Sequence, residues 1–174
     1  MSLQSVIKRF YGRPISVLWD HPNSPAAKGA VAPMAAKIRK SLRPIGPVAD
    51  FIAYVPPLDQ AGDLKSYKEL LQAGIKVNEC RERRDGGDPV DDAIILKLDA
   101  IGSSSEKAFV ALISGDGDFA KAIGRVHAAG HGVGLVLAPN IQCSYDLLLF
   151  ADAVLLGKDF RLLPTRSCSN SKKL

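Results

Sequence analysis

Ile15 to Trp19 (ISVLW), Val48 to Val55 (VADFIAYV), Ala108 to Ile113 (AFVALI) and Gly132 to Leu137 (GVGLVL) are short apolar runs, each separated from the next by a stretch with helical periodicity. Runs of this length bounded by turn residues read as strands buried on both faces, and strands that alternate with helices build βαβ units. This pattern constrains the chain to an α/β fold with a mostly parallel sheet and helices on both faces.

The intervening segments support this reading. From Ala30 to Leu42 the apolar positions Val31, Met34, Ala35, Ile38 and Leu42 recur at three and four, and Pro44 and Gly46 end the helix. Asp63 opens a second helix through Leu64, Tyr67, Leu70 and Leu71, which stops at Gly74, and Ile75 to Val77 begins a short third strand. After the polar loop Arg81 to Asp88, Pro89 fits the first turn of a helix reaching about Ile101. A helix from Phe119 to Ala129, a short one from Ser144 to Phe150 and a sixth strand at Ala153 to Leu156 complete a sheet of five or six strands. Residues 1–13 are expected to form a basic arm, 14–160 one domain, and the chain beyond Phe160 is expected to fray as a basic tail.

At 174 residues and 47% apolar composition the chain suffices for one hydrophobic core. Cys80, Cys143 and Cys168 are odd in number and in no CxxC spacing, which argues against a disulfide framework or a structural zinc site and for a reducing compartment. No apolar run is long enough to span a bilayer, so no integral membrane association is expected. The first nineteen residues contain Lys8, Arg9 and Arg13 and no acid, a pattern shared with organellar transit peptides. The net charge of +5 makes a polyanion a plausible partner.

The acids are unevenly chosen. Fourteen of 18 are Asp, and seven of these lie between Asp85 and Asp118. Ligands of open parallel sheets sit beyond the carboxyl ends of the strands. Asp20 closes the first strand, Asp116 and Asp118 follow the fourth, and Asp91 lies in the first turn of the helix after the third. Carboxylates gathered there repel one another unless protonated or bridged by cations, and a hard divalent ion resolves the conflict. Each has a plainer reading as well: Asp20 as a loop hydrogen-bond acceptor, Asp91 and Asp92 as favourable charges at a helix start, Asp118 as a cap, Asp99 as a solvated helix face.

Four marks in this order resemble the NYN domains of the PIN-like nuclease superfamily, in particular the limkain type of meiosis regulator and mRNA stability factor proteins. They are Val17-Leu18-Trp19-Asp20 with Asn23 three residues later, Val90-Asp91-Asp92-Ala93, Ser114-Gly115-Asp116-Gly117-Asp118-Phe119, and Ala151-Asp152-Ala153. The resemblance covers about Ile15 to Phe160. It implies a three-layer PIN-like fold and RNA hydrolysis in RNA processing or turnover, with Mg²⁺ or Mn²⁺ held by Asp20, Asp91, Asp116 and Asp118, Asp92 being an alternative. Asn23 and Ser114 would support these carboxylates. The limkain type reads Trp-Asp-x-Glu-Asn, and Pro22 stands where that glutamate would be.

Single-stranded RNA is the expected partner, approached through Arg81, Arg83 and Arg84 before the Gly86-Gly87 pair, and through Lys28. A homodimer is open. The expected compartment is intracellular and cytoplasmic by default; the resemblance and the Lys172-Lys173-Leu174 end imply a peroxisomal association as the alternative. Two other readings stay open. Loss of the glutamate fits an NYN-type RNA- or protein-binding module without turnover. Gly115-Asp116-Gly117-Asp118 also resembles the acidic motif of haloacid dehalogenase-type phosphatases, although those place a second aspartate where Pro22 stands.

Overall fold

The computed structural model describes residues 2–61, 64–81, 86–139 and 142–165. Along the chain run α1 (Leu3–Phe10), β1 (Ile15–Asp20), α2 (Val31–Leu42), β2 (Val48–Val55), the short α3 (Leu58–Ala61), α4 (Leu64–Gln72), β3 (Lys76–Glu79), α5 (Pro89–Gly102) and β4 (Phe109–Ile113). A single 3₁₀ turn, Gly117–Phe119, then leads into α6 (Ala120–Ala128), β5 (Gly132–Leu137), α7 (Tyr145–Phe150), β6 (Ala153–Leu156) and β7 (Arg161–Pro164).

The strands form one sheet in the order β3-β2-β1-β4-β5-β6-β7, parallel except for the β6–β7 pair. The chain builds outward from β1 through β2 and β3, then returns to lay β4 on the other side of β1. The order therefore reverses between β1 and β4, and the crevice at their carboxyl ends is where this topology places ligands. All five residues of β4 and all six of β5 are buried, as expected for strands covered on both faces.

Two apolar layers flank the sheet. Val17, Trp19, Phe51 and Ile113 pack with Ile38 and Leu42 of α2 on one side; Leu18, Leu112 and Leu135 pack with Ile94 and Leu98 of α5 and Ile123 and Val126 of α6 on the other. Because strand side chains alternate, Asp20 shares a face with Leu18, the face that α5 and α6 cover. Among the described residues no helix is long and apolar enough to cross a membrane.

Three expectations are corrected. Residues 3–10 of the basic arm form α1, capped by the Ser2 side chain, which accepts a hydrogen bond from the Ser5 N–H at 3.2 Å. Its buried side, Val6 and Phe10, docks on the sheet, with the Phe10 ring edge-on to Phe109 at 5.5 Å. Gly132 admits these rings, since a Cβ there would lie 2.3 Å from Phe109. The sheet has seven strands rather than five or six. The chain does not fray at Phe160, because Arg161–Pro164 pairs antiparallel with β6 and Leu162 packs on the core. Asp63, expected to open a helix, lies outside the described residues, and α4 is described from Leu64.

Candidate active site

Asp20, the last residue of β1, is fully buried and pairs with Tyr54 of β2. Both carboxylate oxygens are held: Oδ2 accepts from the Ser114 hydroxyl at 2.8 Å, and Oδ1 accepts from the Asn23 N–H at 3.4 Å. Burial and the nearby Asp116 push its pKa up, while the Ser114 and Asn23 hydrogen bonds oppose that shift. The loop after β1 is folded back tightly. The Ser24 N–H donates to the Asp20 carbonyl at 3.0 Å, and the Trp19 indole donates to the Ser24 carbonyl at 2.8 Å.

Ser114, also fully buried, follows β4, and its Oγ accepts from the Asp116 N–H at 3.1 Å while donating to Asp20. Asp116 in turn caps the 3₁₀ turn, accepting from the Asp118 N–H at 3.0 Å. Gly117 packs closely on Ser144, since a Cβ there would lie 2.8 Å from Ser144 Oγ, and the Ser144 N–H donates to the Gly115 carbonyl at 2.9 Å. Ser144 caps α7, so that helix start braces the acidic turn.

Asp88 caps α5, accepting from the Val90 and Asp91 N–H groups at 2.8 and 3.3 Å. This fixes the phase of the helix and directs Asp91 toward the turn after β4. Asp91, Asp116 and Asp118 each offer a carboxylate oxygen, and the three lie within 4.8 Å of one another. Two unit charges at such a separation repel by roughly 3 kcal/mol at an effective dielectric of ~20. Asp91 responds most strongly. Burial first, then the charges of Asp88, Asp20, Asp116 and Asp118, push its pKa up to about 7.

Of the residues expected at this edge, Asp20 neighbours the trio without belonging to it, with Ser114 and Asn23 bound to its carboxylate. Asp92 is exposed and turns away, lining a groove with Asn78 and Glu79 beside β3. Arg81 lines that same groove, Lys28 is exposed on the β1–α2 loop, and Arg83 and Arg84 lie outside the described residues. Asp152, from the closing Ala-Asp-Ala mark, sits at the opposite end of the sheet. Its Oδ2 accepts from the Val133 N–H at 3.0 Å, and its Oδ1 lies 3.7 Å from Arg9 and 3.8 Å from His127. The bracing Ser144 was not anticipated; its signal is a serine directly ahead of a short apolar helix.

The residues fit a hard divalent cation. Asp91 Oδ1 is buried with no hydrogen-bond partner, and it belongs to a set of three carboxylates, the ligand type preferred by Mg²⁺ and Mn²⁺. The family model of the NYN domain matches residues 14–155. The chain belongs to the NYN domain family. This is a family of PIN-like nucleases, which generally use divalent metals. The NYN domain is also similar to the crystal structure of a protein of unknown function from Vibrio parahaemolyticus RIMD 2210633, at 23% identity and a TM-score of 0.64, over 88% of this chain and 98% of that one. That likeness concerns the fold. No curated protein matches this chain significantly.

Proposed function

We propose that this NYN domain is a metal-dependent ribonuclease that cleaves phosphodiester bonds in single-stranded RNA. The observation that carries the proposal is the convergence of Asp91, Asp116 and Asp118 beside the buried Asp20, at the switch point of the sheet. Asp91, Asp116 and Asp118 would hold Mg²⁺ or Mn²⁺, with Asp20 completing the negative cradle. When bound, the cation supplies charge neutralisation at the phosphoryl oxygens and activation of a water nucleophile.

The chain's own groups then have separate tasks. Ser114 and the Asn23 N–H orient Asp20, and the Ser114 hydroxyl ties it to the loop that carries Asp116. The Asp116 cap and the Gly117–Ser144 contact hold Asp118 in position. Lys28 and Arg81 are the exposed cations that would meet the RNA backbone. A role in RNA turnover and in regulation of gene expression, as in the limkain type, follows the motif resemblance.

A binding module without turnover is the second reading, motivated by Pro22. Against it, the trio draws its three acids from α5 and the β4–α6 loop, and none from position 22. A phosphoaspartyl mechanism fits poorly, since Asp20 is buried with both oxygens engaged. The test is cleavage of end-labelled single-stranded RNA and DNA with Mn²⁺ or Mg²⁺. Asp116→Asn should lower the RNA-cleavage rate at least ~100-fold while retaining the fold. RNA binding without cleavage by the wild type, under either metal, would establish the binding module instead.

A further inference from the structure

The charge of the chain is lopsided. Residues 1–48 hold eight of the 23 Lys and Arg but only one of the 18 acids, the buried Asp20. The rest of the chain holds 15 cations against 17 acids. At the carboxyl edge of the sheet, Asp88, Asp91, Asp116 and Asp118 repel a polyanion until a bound cation neutralises them. The attraction that holds an RNA strand has to come from another part of the surface.

Several of the eight early cations have structural tasks. Arg9 lies 3.7 Å from Asp152, Lys37 pairs with Asp159, and Arg13 and Arg39 donate to backbone carbonyls of Gly130, Ala73 and Gly74. Lys40 and Arg43, at the end of α2, are exposed and engage no acid or carbonyl among the described residues. They stand over two adjoining hollows of about 450 and 340 Å³ that share Arg43, Gly46 and Pro47. No acid lines either hollow. Tyr11 forms one wall and is 78% exposed, the most exposed large apolar or aromatic side chain described. The floor is fixed in advance: the Gly12 N–H donates to the Ile45 carbonyl at 2.7 Å, which locks the loop before β1 to the loop before β2.

This groove lies at the amino ends of β1 and β2, where Ile15 pairs with Val48. Asp20 is at the other end of β1, about 17 Å away at ~3.3 Å per residue. An open, acid-free groove with two unpaired cations and an exposed ring has the makeup of a surface that tracks a single-stranded phosphate backbone. A bilayer fits less well, because α1 buries its apolar side, Val6 and Phe10, against the sheet and leaves no apolar stripe to insert. We propose that Lys40, Arg43 and Tyr11 form a second RNA-contact surface, which binds backbone phosphates away from the scissile bond. The proposal rests on the ribonuclease reading and names where that enzyme holds its substrate.

The test measures binding of a fluorescent 30-nucleotide single-stranded RNA by anisotropy, in EDTA, where no metal-dependent cleavage competes. Lys40→Gln combined with Arg43→Gln should weaken binding at least about tenfold. The slope of log affinity against log salt should become shallower by about 1.4, which is two phosphates at ~0.7 each on a single strand. Tyr11→Ala should weaken binding about fivefold, the lower end of what one stacked base contributes. Lys65→Gln combined with Lys68→Gln, an equal loss of charge from exposed positions of α4, should have less than a twofold effect. In Mn²⁺ the loss in the Lys40, Arg43 variant should appear in KM with kcat unchanged. Unchanged affinity and slope in that variant, or an equal loss in the α4 control, overturns the proposal. So does wild-type protein that binds phosphatidylserine vesicles but no RNA. The expected binding pattern in a protein that cleaves no RNA supports the groove and overturns the ribonuclease reading alone.

Discussion

The Ser114 hydroxyl donates a 2.8 Å hydrogen bond to Asp20 Oδ2, joining the carboxyl ends of β1 and β4 where the strand order reverses. Both side chains are fully buried, so the bond has no water to replace it. Ser114→Ala leaves a buried carboxylate without one of its donors and should destabilise the fold by about 1–3 kcal/mol. Urea denaturation monitored by circular dichroism measures this. A stability equal to wild type would show that the bond contributes nothing.

The pH response of the metal-free protein has a defined sign. The pKa of Asp91 rises from 3.8 to about 7 on folding. Between those values the folded state holds the proton more tightly than the unfolded state, so stability from this group is present at low pH and lost as pH rises toward 7. In EDTA, the melting temperature of wild type should decline from pH 5 to pH 7.5 relative to Asp91→Asn. Parallel profiles for the two proteins would remove Asp91 as the cause.

Gly117→Ala tests the bracing of the acidic turn. The added methyl meets Ser144 Oγ at 2.8 Å and Ser144 Cβ at 3.2 Å, so either Ser144 at the start of α7 or the turn carrying Asp116 and Asp118 must shift. Cation affinity should drop about tenfold while global stability changes by only about 1 kcal/mol. Gly117→Ala combined with Ser144→Gly should recover most of the affinity. Isothermal titration with Mn²⁺ gives the affinities.

How legible this site was depends on which residue is asked about. Asp20 and Asp116 were readable because a strand end is visible as the last residue of an apolar run. The choice between Asp91 and Asp92 was not, since neighbouring helical residues differ by about 100° in direction and the phase depends on where the helix starts. The Asp88 cap sets that phase, and Asp88-Pro89 was the available signal. Leu3, Val6, Ile7 and Phe10 carried the helical spacing of α1, outweighed by the charges of Lys8, Arg9 and Arg13. The strand β7 depends on a turn whose left-handed positions include Phe160, where turn rules lead one to look for glycine. The partnership of Ser114 with Asp20 spans 94 residues and required the strand order.

Asp152 separates fold from chemistry. Its carboxylate accepts from Val133 N–H, and its own N–H donates to the Val133 carbonyl at 2.8 Å, fastening β5 to β6 far from the acidic trio. Asp152→Ala should cost roughly 2–4 kcal/mol of stability. At a temperature where the variant is folded, its RNA-cleavage rate should match wild type. A stable variant, or a folded one without cleavage, would contradict this assignment.

The central claim is that Asp91, Asp116 and Asp118 act together as a cation site, and counting bound Mn²⁺ by electron paramagnetic resonance tests it most directly. Free Mn²⁺ should disappear on adding wild-type protein, and Asp91→Asn and Asp116→Asn should each return most of the free signal while remaining folded. Binding by both variants as tight as wild type, or no binding by the wild type, would contradict the account.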